Sequence, residues 1–129
     1  MSSDGRRAIE SLFRNRTKAL ELFKIVQSYI EGLGSVNTEA TKTQISFGTD
    51  RKFAWVWLPQ IWIKKQPDKS IVVTFSLDRR IQDERVKEAV EPRPGKWTHH
   101  VVIEKASDFD DDVRDWIMEA WDKSRRVVK

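Results

Sequence analysis

The sequence predicts an α+β domain: an antiparallel sheet of four to five strands with N-terminal and C-terminal helices packed on one face. Three observations predict it. Apolar residues recur at three- and four-residue steps near both ends of the chain. They alternate with polar residues through the middle, and glycine or proline stands where the period changes. Helices laid on one side of an antiparallel sheet bury both patterns at once.

The first stripe is Ile9, Leu12, Phe13, Leu20, Phe23, Val26 and Ile30. Arg14-Asn15-Arg16-Thr17 interrupts it, which predicts a short first helix and a second starting near Thr17, capped by the threonine hydroxyl. Gly32 and Gly34 are expected to close that helix in left-handed conformations. Thr43, Ile45 and Phe47 then alternate as a strand, and Gly48-Thr49-Asp50-Arg51 reads as a hairpin turn. The next strand, Phe53 to Leu58, is apolar on both faces, so it is expected to be central in the sheet or covered on both sides. Pro59 stops it. Ile61-Trp62-Ile63 reads as a short continuation before the loop Lys64–Lys69.

Ile71, Val73, Phe75 and Leu77 form one face of a further strand. Ile81, Val86 and Val90 suggest a short, mostly exposed helix, broken by Pro92-Arg93-Pro94-Gly95. Trp97 to Glu104 alternates as a strand. The closing helix carries the stripe Phe109, Val113, Trp116, Ile117, Ala120 and Trp121, with Trp116 expected to anchor it in the core.

With 129 residues the chain reads as a single domain, 1–129, with flexible ends at about 1–5 and 125–129. It has no cysteine, which excludes disulfides, thiolate nucleophiles and Cys-based metal sites together. No apolar run resembles a signal peptide or a membrane span, so a soluble cytoplasmic protein with no membrane partner is expected. The net charge is +4 and the pI about 9.5, basic but diluted by 20 interspersed acids. That balance suggests nucleic acid only weakly.

Asp108, Asp110, Asp111 and Asp112 open the last helix, where carboxylates serve as caps, and this reading is favoured over a metal cluster. His99 and His100 are adjacent on a strand, so they point to opposite faces and cannot share a metal. The outward one offers a hydrogen-bonding or pH-sensitive contact. Trp55 and Trp57, read as sharing a face with Phe53, and Trp62 beyond Pro59, are either packed or outward-facing. With His100 they form the candidate ligand or partner surface. Lys64, Lys65, Arg79 and Arg80 are the candidate basic contacts beside it. No phosphate loop, nucleophile elbow, His-Glu-x-x-His motif or dinucleotide fingerprint is present. No catalytic residue, metal or cofactor is assigned, and the balance is against an enzyme.

Thr43-Gln44-Ile45-Ser46-Phe47, Arg51-Lys52-Phe53-Ala54-Trp55-Val56-Trp57, Gly95-Lys96-Trp97-Thr98-His99-His100 and the helix from Asp110 to Trp121 carry a family likeness. The chain resembles, from about Leu12 to Trp121, a small bacterial family catalogued as domain of unknown function 5655. More loosely, the aromatic strand, the Trp97 strand and the acidic-capped helix are similar to the YjbR/MmcQ group. That likeness implies an α+β fold and suggests DNA binding. It carries over no catalytic residue.

The favoured reading is a non-catalytic binding or interaction module, with weak, non-specific nucleic-acid association the first to test. The alternative is a small-molecule-binding or enzymatic domain using the outward face around Trp55, Trp57 and His100. Two helices can cover only one sheet face, so the surplus of apolar residues also predicts a contact. A homodimer across that face is preferred to folding back of the loop Pro59–Lys69.

Overall fold

The computed structural model describes residues 3–58 and 69–125. Helices α1 (Ser3–Leu12) and α2 (Thr17–Glu31) lead into strands β1 (Asn37–Ala40), β2 (Gln44–Gly48) and β3 (Lys52–Trp57). Strands β4 (Ile71–Leu77), β5 (Val86–Arg93) and β6 (Lys96–Ile103) follow, and helix α3 (Asp111–Ser124) closes the described chain. The sheet has six strands in the order β1-β2-β3-β4-β6-β5, every neighbouring pair antiparallel. None of the described helices is long and apolar enough to cross a membrane.

Register sorts the side chains into two faces. Ile45, Val56, Val73 and Val101 line up across β2, β3, β4 and β6 and lie at 0–1% exposure. They join Leu22, Phe23, Val26 and Ile30 of α2 and Val113, Ile117 and Ala120 of α3 in one core cluster. Each buried side chain of this kind contributes roughly 1.5–3 kcal/mol. The helices thus cover one face, as the apolar stripes predict.

The sheet is wider than the four to five strands expected, and both extra strands are edges. β1 has no apolar alternation to announce it, because its residues are exposed or half-buried. β5 occupies the segment that reads as a helix. Val86 and Val90 are four residues apart, which mimics a helical step. Irregular register between Val86 and Glu88, and again between Val90 and Arg93, erases the two-residue period that would mark a strand. Pro92 is tolerated there because an edge strand leaves one row of N–H groups unpaired. The turn Pro94-Gly95 joins β5 to β6, with Gly95 at φ 78°, a value that glycine reaches without steric cost.

Three local expectations are corrected. Arg16, not Thr17, sits at the N-terminal boundary of α2, and no side chain caps it. Gly32 ends α2 in the right-handed region, at φ −78°. Phe53 does not share the face of Trp55 and Trp57. A bulge opposite Phe47 and Gly48 sets two residues against one, and Phe53 turns into the core with Ala54.

The acidic segment caps as expected. Asp110 accepts the Val113 N–H at 3.0 Å, and Asp108 accepts the N–H groups of Glu104 and Lys105. Trp116 and Trp121 are only partly buried, so the deep anchors here are Phe109, just before α3, and Val113 and Ile117 within it.

Candidate functional site

The sheet face turned away from the helices carries the aromatic residues that the sequence singles out. Register places Ser46, Trp55, Thr74, His100 and Glu88 in one row from β2 to β5. Trp57 lies in the neighbouring row with Gln44, Val72 and Val102. The indole N–H of Trp57 donates to Thr74 Oγ1 at 2.8 Å, and Thr74 Oγ1 lies 2.8 Å from His100 Nδ1. The His100 ring meets the Trp57 indole edge-on at 5.7 Å, and its Nε2 is 3.7 Å from a Glu88 carboxylate oxygen. Burial lowers the His100 pKa, with Glu88 acting in the opposite direction.

This face is less open than two covering helices imply. Val72 and Thr74 are buried, while Trp55, Trp57 and His100 are half-buried. Among the described residues the exposed large apolar side chains are Val90 on β5 and Met118 on α3. Trp62, Lys64 and Lys65 lie outside the described residues.

The histidines diverge as the strand geometry requires. His99 is fully buried on the helix side, stacked on Phe75 at 5.0 Å, and its Nε2 accepts the Ile81 N–H at 2.9 Å. Its Nδ1 makes no hydrogen bond of good geometry. The Phe75 backbone favours its protonated form, yet burial dominates and lowers the pKa. This histidine completes a loop rather than facing a ligand.

Nor do Arg79 and Arg80 border the tryptophans of the outer face. Arg79 makes a two-pronged ion pair with Glu119 of α3, at 2.8 and 3.0 Å. Arg80 lies over the Trp97 ring at 5.6 Å. The sequence likewise gives no sign of a hub at Arg85, which binds Asp83, Asp110 and Asp112 and spans the Trp116 ring at 5.2 Å. That hub ties the loop before β5 to the start of α3.

A cationic concavity lies elsewhere, at the end of the sheet where β3 begins, β4 ends and β6 begins. It is a cleft of about 310 Å³ closed on one side by the last turn of α3. Phe53, Leu77 and Ala120 are its apolar lining residues. Arg51, Lys52, Lys96 and Lys123 surround it, with Asp78 the single acid. Arg51 donates to the Lys123 carbonyl at 3.0 Å, Lys123 pairs with Asp78, and Lys52 reaches Glu39 at 3.2 Å. Lys96 has no ion-pair partner among the described residues. Burial, followed by the charges of Arg51 and Arg93, lowers its pKa. These cations come from two hairpin ends and a distant helix. No spacing along the chain brings them together, so sequence reasoning misses the cleft.

A family model described as "Domain of unknown function (DUF5655)" matches residues 9–124. No curated protein and no solved structure matches the chain.

Proposed function

The chain belongs to the domain of unknown function 5655 family, and we propose that it is a non-catalytic binding module for anionic partners, engaged at the cleft of Arg51, Lys52, Lys96 and Lys123. One observation carries this reading. Four cations converge on a concave site whose lining includes a single acid, and one of them, Lys96, has no counter-ion among the described residues. Clustering like charges costs free energy that an anionic ligand relieves.

Nucleic acid is the first macromolecular partner to test, because phosphate contacts require cations and no particular base-reading element. Binding is then weak, non-specific and steeply salt-dependent. Fluorescence anisotropy with a short single-stranded oligonucleotide, across a salt series, measures it. The expected result is low-salt binding that Lys96→Glu abolishes. Binding that ignores both salt and Lys96→Glu sinks the reading.

A second reading rests on the chain Trp57–Thr74–His100. Thr74 fixes one ring nitrogen of His100 while the other faces Glu88, the kind of orientation that small-molecule recognition or proton transfer uses. This face is also where a second copy would dock. A neutral ligand held there would be lost in His100→Gln and kept in Lys96→Glu. Light scattering of the parent and of Trp57→Glu tests for a homodimer.

A further inference from the structure

We propose that His99 is an acid-sensitive latch, whose protonation releases the loop 78–85 between β4 and β5 from the core. The inference stands apart from the anionic-partner reading, since it concerns how one loop is held and not what the cleft binds.

Geometry is the first support. His99 is fully buried with its ring stacked on Phe75, and its Nε2 accepts the Ile81 N–H at 2.9 Å. An accepting nitrogen carries no proton, so the ring is neutral and its own N–H lies at Nδ1. Protonation places an N–H on Nε2 as well. Two donors then face each other where one hydrogen bond stood, and a charge enters a buried site.

The second support is what else holds the loop. Arg79 pairs with Glu119, Arg80 lies over Trp97, and Arg85 binds Asp83, Asp110 and Asp112. These side chains are exposed or half-buried, and exposed ion pairs hold a chain weakly. The bond from Ile81 to His99 is buried, and the Ile81 side chain is 7% exposed. Residues 78–85 form no helix or strand, so no backbone ladder replaces that bond once it is lost.

Electrostatics sets the direction of the response. Phe75 of β4 and Ala89 of β5, the register neighbours of His99, bring no titratable side chain. The charged groups that act on it are Arg79 of the loop and Glu119 of α3, paired with each other, and His100 next along β6. Burial outweighs the opposing pull of the Phe75 backbone and lowers the His99 pKa from its ordinary 6.5. Opening of the loop returns the ring towards that ordinary value. A base depressed in the closed state favours closure above the ordinary value and loses that advantage as pH falls below it. Each pH unit below 6.5 thus raises the open fraction about tenfold, until the closed form itself takes up the proton. The Asp83–Arg85 pair responds in a lower range, because Asp83 is held down to about 2.

Nuclear magnetic resonance of isotope-labelled protein tests the latch between about pH 7.5 and about pH 4.5, the range in which histidine titrates. At the upper end the His99 proton is expected on Nδ1, with the Ile81 amide protected from hydrogen exchange. On acidification the Ile81 protection should fall about tenfold per pH unit, while amides of β4 stay protected. His99→Gln offers Ile81 an acceptor that does not titrate, so its protection should not respond to pH. His99→Phe keeps an aromatic ring on Phe75 without the acceptor, and should leave Ile81 exchanging at neutral pH. His100→Gln assigns the imidazole signals and should keep the response. Thermal melting confirms that each variant is folded, and the parent series decides on its own where one is not. A neutral-pH proton on Nε2, or Ile81 protection that stays constant across the parent series, overturns the latch. Protection lost equally from Ile81 and β4 also overturns it, since the whole domain then unfolds. So does an acid response that persists in His99→Gln, because another group then titrates.

Discussion

Gly34 lies against the indole of Trp121, so close that a Cβ on the glycine would sit 2.9 Å from Cζ2 of the ring. The connection between α2 and β1 is thereby pressed onto the last turns of α3. Arg125 lies over the same indole at 4.1 Å. One aromatic ring joins the C-terminal end of α3 to the connection that follows α2.

Gly34→Ala therefore forces either the connection or the indole to move. Overpacking of this kind costs about 1–3 kcal/mol. Urea unfolding should show a lower midpoint, and Trp121→Leu in the Gly34→Ala background should recover part of it. An unchanged midpoint would show that neither the indole contact nor the Gly34 backbone, at φ 157°, resists a side chain.

The anchors of α3 can be ranked. Phe109 is 2% exposed in the core, whereas Trp116 is half-buried between Phe75, 6.0 Å away, and the Arg85 guanidinium. Phe109→Ala should cost about 3–5 kcal/mol, the usual range for a buried aromatic. Trp116→Ala should cost less, since part of its surface is already in water. Chemical denaturation of both variants checks the order, and a larger loss at Trp116 would contradict the burial argument.

Arg85 predicts a response to acid. Its guanidinium holds the Asp83 carboxyl down to about 2, from an ordinary value of 3.8. A carboxylate depressed in the folded state contributes stability that is complete above the unfolded value and lost as pH falls through the folded one. The parent should thus lose stability from this pair between about pH 4 and pH 2. Arg85→Gln should be less stable at neutral pH and change less through that window. Denaturant midpoints along an acid series measure both effects. Parallel parent and variant curves would show that the pair contributes nothing.

Much of the architecture is legible without coordinates. The stripes of α2 and α3, the central place of the strand at Trp55 and the divergence of His99 and His100 follow from local periodicity, because burial on one side imposes a 3.6- or two-residue repeat. The capping role of Asp110 follows from chemistry local to one helix start. Edges escape this reasoning. β1 and β5 bury too little to need a pattern, and the bulges of β5 remove what pattern remains.

Sequence by itself determined the fold class, helices α2 and α3 and the central strands, since each is enforced by contacts that repeat along a continuous segment. Tertiary structure alone decided where charge gathers. Arg51, Lys96 and Lys123 meet because two hairpins end where α3 ends, and Arg85 reaches Asp83, Asp110 and Asp112 because a loop crosses the start of that helix. Likewise only the register shift opposite Phe47 and Gly48 sends Phe53 inward and leaves Trp55 and Trp57 on the other face. Charged rims and bulges are set by which strand ends come together, and that juxtaposition leaves no periodic trace along the chain.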